Sequence, residues 1–425
     1  MDESRLQELI NYAYHHVSHY KKIFDQNRIL PDEIKNRKDL ERVPVLTKSQ
    51  LQKNPGEFLA PEYMYFPKNN DLIHQRTSGS TGKILKIYWD KQDSIKSLFY
   101  LWKLRSRTYG IDASSKYCSF HSTFYRNNRL VEQIPESYLS GDGRQLSFSK
   151  LILDDAHLEK FYKELMAFDP DWFYMQPSVA YLLSVFVSKN GLEKPKSLRY
   201  IELTGEYLFD HYRKEISKTF AVPVANMYGC MEANGIAMEC RNGHMHCLSD
   251  NVAIEVLRDG SPAAYGEEGE IYITSLYNRA MPFIRYQLGD RVKLYPPEKC
   301  GCGNKNPVME VSAGRLNENV LVEGREPINS YLFVYSIESI NIRLGYPVLQ
   351  FQIIQESSNR FTAHLVLEDR FSGWKETVAN EFIKEMMKLG LNTMEWQIEF
   401  KDHLVPNSET GKLQFFTSRL GQKPY

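Results

Sequence analysis

The 425-residue sequence lacks an apolar run long enough to cross a bilayer, an excess of either charge, a dense set of cysteines and any internal repeat. Each absence removes a class of protein. Lys+Arg and Asp+Glu number 53 each, so the basic field of a non-specific nucleic-acid or anionic-membrane binder is missing, and an anionic ligand must be met by local charge. The first 25 residues begin with acids and hold no apolar stretch, from which we expect neither a secretory signal nor a spanning helix, but a cytoplasmic protein with no nucleic-acid or membrane partner. The cysteines number six, and Cys240, Cys247, Cys300 and Cys302 crowd into one stretch; that pattern excludes a disulfide framework and leaves reduced thiols or a metal site. Without a repeat or a low-complexity segment, solenoid and disordered architectures drop out.

Apolar residues make up 42% of the chain and aromatic ones 13%, enough for the cores of two or three domains. After Asp90, an N-cap, Ile95, Leu98, Phe99 and Trp102 repeat with helical spacing, which predicts a helix with that face buried and Lys96, Lys103 and Arg105 toward solvent. A second helix is predicted from Pro177 through Val179, Leu182, Leu183 and Phe186 to a stop at Asn190-Gly191. A strand at 198–203 and the loop Thr204-Gly205-Glu206 follow, then a helix at 212–220 and an apolar stretch ending in Tyr228-Gly229. Strand, helix, strand in this order reads as a parallel α/β unit, whose ligands sit beyond the carboxyl ends of its strands. From about residue 251 short alternating strands predict a β-rich part. After Gly314-Arg315 comes a pattern of helix (330–344), strands (349–355, 360–367), helix (373–389) and strand (396–401), an α+β module of ordinary domain size. The expected division is therefore 1–315, with a β-rich subdomain at about 240–314, and 316–425, with a hinge between Arg315 and Asn319.

Residues 77–83, TSGSTGK, are small and hydroxylated, so backbone amides there can approach phosphate oxygens. Read alone, the run is a solvated turn more readily than a phosphate cradle, and its spacing does not fit the Walker pattern. It has company: YGCME at 228–232, YQLGD at 286–290, GR at 314–315 and PNSETGK at 406–412. In sequence and order these five segments resemble the core motifs of the adenylate-forming superfamily. Within it, HHVSHYKKIF, LERVPVLTKSQL, QPSVAYLL, YNRAMPFIRYQLGD and CGCG are most similar to the phenylacetate–coenzyme A ligase branch and the related CapK-like proteins, over about residues 10–415.

The resemblance implies an α/β fold: a large multi-sheet N-terminal domain that binds ATP and a carboxylic acid, and a small mobile α+β C-terminal domain. It implies attack of a carboxylate on the α-phosphate, release of pyrophosphate, and transfer of the acyl group to a thiol, coenzyme A first among acceptors. Thr77, Ser78, Gly79, Ser80, Thr81 and Gly82 would cover the phosphates; Gly205, Glu206 and Gly229 would contact the nucleotide, and Tyr228 would lie against the adenine. Asp290 would accept both ribose hydroxyls, which an ionised carboxylate does strongly. Glu232 would hold Mg²⁺, a hard cation suited to carboxylate oxygen. Lys412 would bring its ammonium to the reacting carboxylate and α-phosphate, and Arg315 would bind ribose or phosphate. His121, Phe124, Tyr125 and Tyr174 are expected around the acid, a small one with aromatic acids included.

Three features depart from that pattern. The usual Gly-Arg-x-Asp is Gly314-Arg315-Leu316-Asn317, with an amide at the hinge; the lysine of the wider superfamily falls at Leu85, between Lys83 and Lys86; and RNNRLVEQIPES replaces the glycine-rich segment of phenylacetate ligases, against phenylacetate itself. Cys240, His246, Cys300 and Cys302 offer a structural Zn²⁺ site, with His244 and Cys247 as rival ligands and ordinary reduced cysteines as the alternative. Delivery of the acyl group to a carrier protein or an amine, a non-catalytic nucleotide-binding role, and a homodimer all remain open at this stage.

Overall fold

The computed structural model describes residues 3–65, 72–76, 85–121, 125–126, 129–130, 135–151, 153–315, 319–325, 327–405 and 413–420. Its centre is a 13-stranded mixed sheet. Strands Gln145–Ser149, Tyr117–His121, Trp172–Met175, Tyr200–Thr204 and Val224–Cys230 are successive parallel neighbours. The predicted helices connect them: Pro177–Lys189 lies between the third and fourth, and Asp210–Phe220 between the fourth and fifth. Side chains alternate across such strands, so in WFYM Phe173 and Met175 meet one layer of helices while Trp172 and Tyr174 meet the helix Lys91–Tyr109 on the other face. Both faces are covered, as a parallel sheet requires.

That last helix corrects one expectation. Asp90 caps it, accepting from the Gln92 and Asp93 amides, and Gly110 ends it in the left-handed region, but the buried face is Ser94, Ser97, Leu101 and Arg105. Ile95 and Phe99 are 55% and 60% exposed. Arg105 goes inward because Glu202, on the central strand Tyr200–Thr204, receives it: Nε to Oε2 is 2.8 Å and Nη2 to Oε1 is 2.5 Å. Local spacing carries no information about a partner charge 97 residues away.

The strands of the β-rich part continue the same sheet in antiparallel fashion. Beyond Val224–Cys230 come Asn234–Glu239, Met245–Cys247, Val308–Arg315, Tyr286–Tyr295, Glu268–Ser275 and Val252–Arg258. The helices Glu3–His16 and Ser18–Asn27 share its core. Tyr20 donates to the Pro282 carbonyl (2.7 Å) and accepts from the Ile284 amide (3.1 Å), while buried Arg285 pairs with Glu255 at 2.9 Å. The opening segment HHVSHYKKIF and the distant YNRAMPFIRYQLGD are thus two halves of one packing contact.

After residue 315 a four-stranded sheet runs in the order Glu395–Phe400, Arg360–Leu367, Val348–Gln355, Phe416–Ser418. It shares a separate core with helices Leu332–Leu344 and Lys375–Lys388. Lys189 and Asp369 pair across the junction, His211 Nδ1 lies 2.7 Å from Glu338 Oε2 at ion-pair distance but without hydrogen-bond angles, and Tyr207 packs edge-on to Tyr331. Among the described residues no helix is long and apolar enough to cross a membrane.

Candidate active site

The carboxyl ends of the parallel strands open into a cleft of about 1520 Å³ that extends to the C-terminal sheet. His121 ends one strand, Thr204-Gly205-Glu206 follows another, and Tyr228-Gly229 lies on a third. Gly205 has φ +84°, a value that favours glycine, and Glu206 accepts from the Ser178 amide at 3.1 Å, tying its loop to the start of the Pro177–Lys189 helix. At Gly229 the register of the hairpin shifts. A Cβ there would lie 2.1 Å from the Asn234 carbonyl oxygen, so only glycine lets the two strands approach.

The hairpin tip carries Glu232, 5% exposed and on the cleft wall. Trp89 Nε1 donates to the Met231 carbonyl at 2.8 Å and braces the tip against the strand Lys86–Asp90. Burial pushes the Glu232 carboxyl up, while hydrogen bonds with Cys230 and Tyr286 and the charge of Lys48 oppose it. A carboxylate on the cleft wall offers the hard oxygen that a divalent cation takes. Opposite it, the Tyr228 hydroxyl donates to Asp290 Oδ2 at 2.6 Å. Asp290 lies within the strand Tyr286–Tyr295, where Gly289 (φ +83°) and a break in register with Val308–Arg315 turn the chain toward the cleft. Its register partner is Arg315, so a residue at the expected hinge stands opposite the expected ribose ligand.

The cleft therefore brings together His121, Tyr174, Gly205, Glu206, Tyr228, Gly229, Glu232 and Asp290. His121 Nε2 is 2.8 Å from Ser119 Oγ; burial, with a smaller repulsion from Lys150, lowers its imidazole to about 4, so it is neutral near pH 7. Tyr174 lines the cleft and also flanks Arg105. Thr77, Ser78, Gly79, Ser80, Thr81, Gly82, Lys83, Phe124, Leu316, Asn317 and Lys412, and the side chains of Tyr125 and Arg315, lie outside the described residues. Antiparallel strands Leu72–Arg76 and Lys86–Asp90 flank the TSGSTGK run, and Leu85 at its end is buried. Leu413, Gln414, Phe415 and Phe416, directly after Lys412, line the cleft. Sequence reasoning missed Lys48, Arg105 with Glu202, and Lys150; a lysine closing QLSFS, a strand that alternates polar and apolar residues, was the visible sign of the last.

Behind the cleft wall formed by Glu239, His244, Met245 and Lys299, the residues Cys240, His246, Cys300 and Cys302 place one ligand atom each within 4.8 Å of one another. Cys240 Sγ to Cys300 Sγ is 3.6 Å and Cys302 Sγ to His246 Nε2 is 3.2 Å, close to the ~3.7 Å edge of a tetrahedron with zinc–sulfur bonds of about 2.3 Å. His246 Nδ1 is 3.0 Å from the Asn306 carbonyl, which leaves Nε2 free to ligate. Burial opposes ionisation of Cys300, but hydrogen bonds from His246 and the neighbouring thiols bring it down to about 6. The donor set thus fits a metal ion. The rivals separate from it: Cys247 is buried in the large core, and His244 lies on the cleft wall.

This fold and these converging motifs define an ANL adenylate-forming superfamily protein. The solved structure of 2-hydroxyisobutyryl-CoA ligase in the postadenylation state, in complex with R3-HIB-AMP, aligns with 98% of this chain and 89% of its own, at a TM-score of 0.72 and 17% identity. No family model matches the sequence. More particularly, the chain is a distant homologue of CapK and the phenylacetate–coenzyme A ligases. It is 23% identical to protein CapK of Staphylococcus aureus over 99% of this chain and 89% of that protein, and 25% identical to phenylacetate-coenzyme A ligase of Thermus thermophilus over 83% and 77%.

Proposed function

We propose that the protein activates a small carboxylic acid, aromatic acids included, as its acyl-adenylate with release of pyrophosphate, and transfers the acyl group to coenzyme A. The observation that carries this reading is the convergence on one cleft of Tyr228, Glu232, Asp290 and the Gly205-Glu206 loop, with the Leu413–Phe416 segment that follows Lys412 on its wall.

In this reading Tyr228 and Asp290 hold adenosine, Thr77–Gly82 covers the β- and γ-phosphates, and Glu232 is the residue for Mg²⁺, which would neutralise charge on the departing pyrophosphate. The acid lies toward His121 and Tyr174, with Phe124 and Tyr125 on the same segment. Lys412 stabilises the charge that develops as the carboxylate oxygen bonds to the α-phosphorus and the bridging oxygen leaves. Arg315, opposite Asp290 in register, couples the nucleotide to the hinge between the proposed domains, 1–315 and 316–425. Zn²⁺ on the cysteine–histidine cluster has no open position and is structural.

The test is acid-dependent exchange of labelled pyrophosphate into ATP across a panel of acids, followed by thioester formation with coenzyme A. Lys412→Ala should lower exchange by ~100-fold or more, the loss of about 3 kcal/mol typical of one preorganised donor. Exchange at the wild-type rate would remove Lys412 from the mechanism.

A further inference from the structure

Lys150 follows the strand Gln145–Ser149 directly, and its amide donates to the His121 carbonyl at 3.0 Å, so the two residues emerge side by side at the carboxyl edge of the sheet. Its side chain lines the cleft although the residue is only 5% exposed. Among the described residues its ammonium has no hydrogen-bond or ion-pair partner; Glu206 supplies the attraction that partly offsets the cost of burial, and the Glu206 carboxylate is already engaged with the Ser178 amide. The buried arginines Arg105 and Arg285 each have a paired carboxylate. A desolvated ammonium left in this state is costly, and an anion entering the cleft would relieve it.

The adjoining wall is polar. Behind His121, Gln145 Nε2 donates to Ser119 Oγ (3.0 Å) and Ser147 Oγ (2.9 Å), and the two hydroxyls are 3.2 Å apart. This network holds a neutral imidazole beside the ammonium, in a region where an aryl substrate would want apolar side chains.

We propose that Lys150 binds a second anionic group of the acid, so that the substrate is a dicarboxylic acid: one carboxylate is adenylated, and the other pairs with Lys150 beside His121. This rests on the adenylation reading for the first carboxylate only, since the ammonium would recognise an anion whether or not chemistry follows. The other source of anionic oxygen in the cleft is the triphosphate of ATP.

The experiment compares acids matched in skeleton but differing by one carboxylate, glutarate against valerate and homophthalate against phenylacetate, on the full-length protein. Acid binding is read by calorimetry with AMP present, and turnover by pyrophosphate exchange. We expect the wild type to prefer the diacid by ~10-fold or more, as sites with an otherwise unpaired buried group do. Lys150→Met should reduce that preference to near parity, Lys150→Arg should retain part of it, and the affinity for ATP should be unchanged. A wild-type preference for the monoacids overturns the proposal without recourse to any variant. So does a Lys150→Met protein that loses ATP affinity while keeping its diacid preference, which would assign the ammonium to phosphate. Diacid binding that depends on Lys150 but supports no exchange would sustain this inference and sink the adenylation reading.

Discussion

Arg105 and Glu202 put opposite charges beneath the cleft, almost wholly buried and joined by two hydrogen bonds. Trp102 and Trp172 lie against the guanidinium, with its central carbon 4.6 and 4.9 Å from their ring centroids, and the Tyr200 hydroxyl donates to Glu202 at 3.1 Å. Such a pair need not stabilise the fold relative to apolar residues, but half of it cannot be removed safely. Arg105→Met should lower the unfolding free energy by about 3–5 kcal/mol, because Glu202 is left charged and unpaired. A urea melt of that variant, beside Arg105→Met/Glu202→Leu, checks this: the double variant should recover much of the loss, and a single variant within ~1 kcal/mol of wild type would contradict the account.

At the scale of the element, the hairpin formed by Val224–Cys230 and Asn234–Glu239 carries most of the recognisable site, and its shape depends on one missing side chain. Gly229→Ala would drive a methyl into the Asn234 carbonyl, forcing the strands apart and displacing Tyr228 and Glu232. Exchange activity should collapse while circular dichroism stays near native; full activity in Gly229→Ala would refute the close approach. The hairpin is continued by Met245–Cys247, and there the cysteine–histidine cluster ties it to the 300–302 turn. If zinc is the ion, elemental analysis should find one per chain. Chelation should lower the melting temperature, and Cys300→Ser should lose the metal together with the same stability. A melt indifferent to chelators would return these four residues to ordinary thiols and imidazole.

Across the whole molecule, the cleft is shared between the large sheet and the segment Leu413–Phe416 of the small one. Under the proposed function, the hinge expected between Arg315 and Asn319 would let the C-terminal module leave the arrangement that serves adenylation for the one that serves transfer. Proline fixes φ near −65° and restricts the residue before it. Asn317→Pro should therefore keep acid-dependent pyrophosphate exchange within a few-fold but lower thioester formation by ~10-fold or more. Equal loss of both steps would argue against a hinge at this position.

Much of this was legible in residue order alone. Helical and strand periods located Pro177–Lys189, Tyr200–Thr204 and the C-terminal module closely, because these elements bury a regular face and local spacing reports it. Tyr228, Glu232 and Asp290 stand out through the resemblance of YGCME and YQLGD to the adenylate-forming motifs, since taken alone their spacing reads as core packing and a surface turn. What spacing could not register was any relation carried by space: the inward turn of Arg105, the bulge that aims Asp290, the union of the β-rich strands with the parallel sheet, and the buried ammonium of Lys150. Each depends on a partner, or on the lack of one, that only the packed chain brings within reach, since Coulomb and contact energies fall with distance in space and take no account of separation along the backbone.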